Sequence, residues 1–156
     1  MDLDEWVDRA PVAIRKAAVW KVRAFQIASY VAALAAEDAR TLEGAARFAR
    51  VVPQLVGAAG SIAANLTEGY SRLSRKERIK YYEYALGSAN ETSSWYQSAA
   101  SGLAPNALED RLTYLARISQ LLLTMIRNER IALRSGSSKR VVSPLDMAFP
   151  IAKREG

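Results

Sequence analysis

Between Glu68 and Arg75 the chain has only a few residues, Gly69-Tyr70-Ser71-Arg72-Leu73-Ser74, in which to leave one helical pattern and enter the next. Upstream, apolar residues recur at intervals of three and four as far as Leu66, and downstream the same spacing resumes at Ile79 and Tyr82. Helices joined by so short a connection must lie antiparallel and side by side. Gly69 fits the left-handed position that closes a helix, and Ser74-Arg75-Lys76-Glu77 has the Ser-x-x-Glu form of a capping box.

The rest of the chain extends this pattern. A first helix is expected from Pro11 to about Ala39, with Ala17, Trp20, Ala24, Ile27, Val31 and Leu34 on one stripe and Ile14, Ala18, Val22 and Phe25 beside it. A second runs from Leu42 to about Glu68, with Pro53 either kinking it or marking where its regular part begins. The third spans Arg75 to Ser101, carrying Ile79, Tyr82, Leu86, Ala89 and Tyr96 near one face, and the fourth runs from Asn106, a candidate cap, to Arg134. No alternating runs flank hairpin-type turns, so a sheet is not expected. The fold expected is all-α, an up-down-up-down four-helix bundle over residues 1–134 with a flexible, non-helical C-terminal tail over residues 135–156.

Two missing residue types limit the chemistry. Among 156 residues there is no cysteine and no histidine, which removes disulfides, thiolate metal sites, the commonest general base and the commonest transition-metal ligand. A bundle can host a di-iron centre, but that site needs Glu-x-x-His pairs. No Gly-rich phosphate loop ending in Gly-Lys-Ser/Thr is present. The expectation is a non-enzyme without catalytic residues, metal or cofactor. The acidic start, Met1-Asp2-Leu3-Asp4-Glu5, does not resemble an export signal, and the uncharged run from Val51 to Thr67 is shorter than the roughly 20 apolar residues of a membrane span. A soluble cytoplasmic protein is expected.

Lys and Arg number 22 against 16 Asp and Glu, a formal charge of +6 that favours anionic partners. Five of these cations, Arg72, Arg75, Lys76, Arg78 and Lys80, cluster where the third helix begins. Cations there oppose the helix dipole, so helix stability does not account for them; a phosphate-binding, RNA- or DNA-contacting segment would, and so would a solvated charged helix start. Tyr70, Tyr81, Tyr82 and Tyr84 nearby fit base stacking or simple core packing. Asn65, Glu68, Gly69 and Glu91 form a candidate structural polar cluster, expected to link the second and third helices through hydrogen bonds. The tail residues Val141 to Ile151 and the apolar second faces suit a protein partner.

Ser61-Ile62-Ala63-Ala64-Asn65-Leu66-Thr67-Glu68-Gly69, the basic Ser71-Arg72 and Ser74-Arg75-Lys76-Glu77, then Ala85-Leu86-Gly87-Ser88 and Glu91, resemble the four-helix bundle proteins encoded in 23S ribosomal RNA intervening sequences. Val19-Trp20 and Gln54-Leu55 fit the same pattern, and the resemblance covers about Ala18 to Leu133. It implies a four-helix bundle, a homopentamer with a basic channel or surface, and no catalytic residues. Relatives include accessory proteins of diversity-generating retroelements, which bind nucleic acid and a reverse transcriptase, so a structural adaptor for such a protein is the alternative expectation. Ala63 stands where that family usually has proline, and Val56 and Gly57 stand where arginines commonly follow Gln-Leu.

Overall fold

A computed structural model of the chain describes residues 1–136. Among the described residues six α-helices follow one another: α1 (Leu3–Asp8), α2 (Val12–Arg15), α3 (Arg23–Leu42), α4 (Val51–Ser71), α5 (Arg75–Ala99) and α6 (Pro105–Arg134). The four long ones, α3 to α6, form the bundle. α3 packs on α4, α4 on α5, α5 on α6, and α6 closes back onto α3, which is the up-down-up-down arrangement expected from the short connections. There is no strand among the described residues.

The core is built from the stripes that the spacing marks. Val31 and Leu34 on α3, Leu55, Ile62 and Leu66 on α4, Tyr82, Ala85, Ala89 and Tyr96 on α5, and Leu115, Ile118 and Leu122 on α6 are all buried. Each fully buried leucine or isoleucine contributes about 1.5–3 kcal/mol relative to an exposed one, so these stripes dominate the bundle's stability. Among the inward residues of α5 are three alanines, Ala85, Ala89 and Ala99, and Thr92, whose buried hydroxyl donates to the Ser88 carbonyl at 2.7 Å and so is satisfied within the helix.

The first helix is shorter than its periodicity suggests. It starts at Arg23, not at Pro11, because Val22 is extended (φ −87°, ψ 111°) and Ala18–Lys21 forms a 3₁₀ turn. Aromatic packing accounts for the break. Trp20 is buried, and its ring lies 6.1 Å from both Trp6 and Phe25, while Trp6 lies 5.5 Å from Tyr30. Residues 1–22 therefore fold back onto α3, where the Tyr30 hydroxyl donates to the Met1 carbonyl (2.7 Å) and Arg23 pairs with Asp4 (2.7 Å). The second apolar set on this helix is covered in part from within the chain: Val22 and Phe25 pack against the core, whereas Ile14 stays exposed.

The second helix also starts later than expected. Gly44 takes φ +90°, a conformation that side chains rarely adopt, and Ala46–Phe48 makes a 3₁₀ turn before α4 begins at Val51. Pro53 sits in the first turn of α4, where its missing N–H removes no helical bond, so it marks the start of the regular part. Phe48 tucks under the α5–α6 connection, and Gly102 is required there: a Cβ on it would come within 2.4 Å of Leu42 Cδ2 and 2.5 Å of Phe48 Cε2.

Two expected helix ends take other forms. Gly69 does not close a helix; it lies inside α4, which continues to Ser71, and the described positive-φ glycines are Gly44 and Gly136. Its lack of a side chain serves close approach, since a Cβ would sit 2.8 Å from Tyr82 Cε1 and 3.0 Å from Tyr81 Cβ on α5. Ser74 is the N-cap residue of α5 in position and backbone angle, but its side chain makes no capping hydrogen bond. Asn106 is likewise not a cap: Ala104 holds that position and Pro105 is the first residue of α6. α6 ends just before Gly136 (φ +65°). The expectations for the tail beyond Gly136 lie outside the described residues.

Candidate nucleic-acid interface

The basic segment between Arg72 and Lys80 divides by helical period. The buried stripe of α5 runs Arg75, Arg78, Tyr82, Ala85, Ala89, Thr92, Tyr96 and Ala99, so its first two members are arginines in core-facing positions. Arg75 is 9% exposed and Arg78 5%. Both meet Glu129 of α6, itself 3% exposed: Arg75 Nη1 lies 2.7 Å from Oε2, and Arg78 donates from Nε to Oε1 (3.1 Å) and from Nη2 to Oε2 (3.2 Å). The remaining Arg78 nitrogen, Nη1, donates to the carbonyls of Arg72 and Leu73 at 2.8 Å each. These two arginines thus fasten the α4–α5 turn to α6 and do not present themselves to a polyanion, which corrects their assignment to the binding surface.

Of the other three cations of the segment, two face outward and one is half-buried. Lys76 and Lys80, one turn apart, are exposed. Arg72 is half-buried; it pairs with Glu68 and donates to the Tyr81 hydroxyl at 3.2 Å, with its guanidinium 5.0 Å from the Tyr81 ring centre. The antiparallel pairing of α5 with α6 brings further exposed cations to the same end, namely Arg127, Arg130 and Arg134. Arg130 reaches Glu83 at 2.5 Å, an exposed pair worth little in stability but one that uses up an exposed acidic group at this end.

The polar cluster proposed from sequence does not bridge helices. Asn65 donates to the Ser61 carbonyl (2.9 Å), Glu68 pairs with Arg72, and Glu91 accepts from Trp95 Nε1 (3.3 Å), each bond local to its own stretch of chain. Of that set only Gly69 acts between α4 and α5, through its missing side chain. Interhelix polar bonds instead converge on two carboxylates the sequence reading passed over, Glu129 and Asp38. At the opposite end of the bundle Asp38 of α3 accepts from the Tyr96 hydroxyl of α5 (2.8 Å) and from Arg111 of α6 through Nε (3.0 Å) and Nη2 (3.1 Å). Burial, and after it the adjacent Asp38 carboxylate, push the ionisation of Tyr96 far upward, so it stays a neutral donor. The available signal was a carboxylate standing on an otherwise apolar stripe, as Asp38 does after Val31 and Leu34 and Glu129 does after Leu122 and Met125.

Among the described residues no group of three or more carboxylates gathers to hold a metal ion, and no helix is long and apolar enough to cross a membrane. A shallow cavity between the end of α3 and the start of α4 is lined by apolar residues, among them Leu42, Phe48, Val52 and Pro53, with Glu43 as its charged side chain. A lone carboxylate there supplies no acid–base pair.

Comparison with known proteins places this geometry. A crystal structure of a protein of unknown function from the S23 ribosomal protein family of Bacteroides thetaiotaomicron superposes with a TM-score of 0.63 at 22% identity, covering 67% of this chain and 98% of that one. At that identity the likeness speaks for the fold alone. No curated protein matches the chain. The model of the family described as 23S rRNA-intervening sequence protein matches residues 15–122, from the segment before Trp20 to the middle of α6. With more than half its length matched and the four-helix bundle in place, the chain belongs to the 23S rRNA-intervening sequence protein family.

Proposed function

We propose that this chain is a non-enzymatic, oligomeric accessory protein that binds the phosphate backbone of RNA or DNA through the basic end of its bundle. The observation that carries this reading is the set of exposed cations drawn from two helices, Lys76 and Lys80 of α5 with Arg127, Arg130 and Arg134 of α6, at one end. The buried arginines beneath them hold α5 and α6 in register, so the surface cations project from rigid elements and lose little freedom on binding. Arg72 adds a partly exposed guanidinium. The revised contact set is Arg72, Lys76, Lys80, Arg127, Arg130 and Arg134.

Binding of a fluorescent RNA measured across salt concentrations tests this. Each phosphate contact contributes about 0.7 (single strand) to 0.9 (duplex) to the slope of log affinity against log salt, so the double variant Lys76→Glu/Lys80→Glu should shed roughly 1.4–1.8 units of slope and weaken all sequences alike. A protein that binds nothing even at low salt refutes the reading.

The oligomeric part draws on α4. Its outward residues Pro53, Val56, Gly57, Gly60 and Ala64 are exposed and uncharged, and a Cβ added at Gly57 or Gly60 would meet nothing within 4 Å. An exposed, uncharged face of this kind suits a second copy, with the homopentamer of the family resemblance as the expected state, and it suits a protein partner as the second reading. Light scattering decides between copies and monomer; a monomer that captures another protein through this face favours the adaptor.

A further inference from the structure

The cations at the basic end are interleaved with tyrosines that backbone binding does not require. Tyr82 fills the core position on α5, which leaves Tyr84, two residues on, directed outward and 50% exposed. A ring so exposed contributes little to the core, and it is not isolated. Lys80 Nζ lies 5.7 Å from its centre, and Tyr81 meets it edge to face at 5.8 Å with an interplanar angle of 88°. Tyr81 in turn carries the Arg72 guanidinium 5.0 Å from its own centre. Arg72, Tyr81, Tyr84 and Lys80 thus form a continuous strip of two adjoining rings with a cation at each end, and Lys76 is exposed one turn before Lys80.

We propose that this strip takes unpaired nucleotides: Arg72, Lys76 and Lys80 hold the phosphates and Tyr84 stacks on a base. The inference rests on the nucleic-acid reading above and narrows it to single-stranded RNA or DNA. In a duplex the flat faces of the bases are already stacked on one another, and a tyrosine on the protein surface reaches none of them. In a single strand every base has a free face, and an aromatic side chain flanked by cations meets the requirements of both halves of the nucleotide. Tyr81 acts as a positioning residue, since its hydroxyl is engaged by Arg72 and its ring sets the attitude of Tyr84.

Fluorescence anisotropy with four labelled probes of equal length tests the proposal: an oligouridylate, the matching DNA strand, an abasic oligonucleotide and an RNA duplex. Wild-type protein should bind the single strands several-fold more tightly than the abasic probe and the duplex. Tyr84→Ala should lower affinity for the single strands by about fivefold or more while leaving the abasic probe unchanged, and Tyr84→Phe should restore wild-type behaviour. Circular dichroism of each variant checks that the exposed substitution leaves the fold intact. The RNA and DNA strands share the recognised chemistry, and tighter binding of either one supports the proposal. Equal affinity for oligouridylate and abasic probe, or an equal loss on all probes in Tyr84→Ala, overturns stacking and leaves backbone binding standing. Failure of wild-type protein to bind any probe overturns both.

Discussion

Each end of the bundle buries a carboxylate against arginine, and the two ends do so with different geometry. At one end Glu129 receives two guanidiniums from consecutive turns of α5, and one of them, Arg78, also grips the carbonyls of Arg72 and Leu73. At the other end Asp38 receives one guanidinium through two nitrogens and a neutral hydroxyl, joining α3, α5 and α6 at a point. The first cluster diverts two cations of the basic segment into holding a turn, with excess positive charge inside and more outside. The second matches one negative charge with one positive and leaves no cation over. The buried cluster at one end therefore holds a surplus of positive charge, and the cluster at the other cancels its charge.

The largest effects should come from removing the carboxylates. Breaking a buried ion pair by deleting one partner costs on the order of 3–5 kcal/mol, because the group left behind remains desolvated. Glu129→Ala should fall near the upper figure, since it removes the anion between two arginine side chains that are 8% and 6% exposed. Asp38→Ala should fall near the lower, since the Arg111 side chain is 15% exposed and can turn toward water. Urea denaturation of both variants measures the difference. A greater loss from Asp38→Ala would break the comparison, by showing that joining three helices outweighs the surplus of buried charge.

A smaller effect separates the ends by pH. Tyr96→Phe removes the hydroxyl that donates to Asp38, at a cost of roughly 1.5 kcal/mol near neutrality, a value typical of hydrogen bonds to charged groups. Its pKa in the folded chain is raised above the ordinary value of 10.0 by burial and by Asp38. Below that value the tyrosine is neutral in both states and the stabilisation is complete. Above it the unfolded chain gives up the proton while the folded chain keeps it, so stability falls as pH rises, by up to about 1.4 kcal/mol per pH unit for this group. Burial raises Tyr30 and Tyr114 as well, so Tyr96→Phe should lessen the alkaline fall without abolishing it. Stability measured from pH 9 upward, an alkaline range of about two units, checks this. An unchanged slope in Tyr96→Phe would mean that its neighbours carry the pH dependence.

The bundle itself was legible because burial of a helix leaves a period in its own sequence, and Ile62, Leu66, Tyr82 and Leu122 stand where that period puts them. Features that depend on a second helix left no such trace. A glycine at a helix end and a glycine under a crossing tyrosine look alike in one dimension, and only the arrival of Tyr82 makes Gly69 the latter. Arg75 and Arg78 read as surface cations because nothing local announces that Glu129, 51 residues beyond Arg78, will meet them. The same distance hid the links of Asp38 to Tyr96 and Arg111, 58 and 73 residues away. Trp20 fell on a helical stripe by spacing, whereas its packing against Trp6 and Phe25 draws it into the fold-back of residues 1–22. Lys76 and Lys80, of the same basic segment, are exposed, and an outward position needs no partner to define it.

The smallest expected effect bears on what holds the α4–α5 turn. A serine whose side chain caps a helix costs about 0.5–2 kcal/mol when changed to alanine. Ser74 occupies the cap position of α5 with the appropriate extended backbone, yet its hydroxyl makes no capping bond, and the turn is held instead by the two bonds from Arg78 to the carbonyls of Arg72 and Leu73. Ser74→Ala should therefore change the stability by less than about 0.5 kcal/mol, as surface substitutions away from special features usually do. If thermal denaturation shows a loss of about 1 kcal/mol or more, the serine shares the work of the arginine. The surplus of buried charge at this end would then lack the structural reason given for it, and the contrast between the two ends would rest on Asp38 alone.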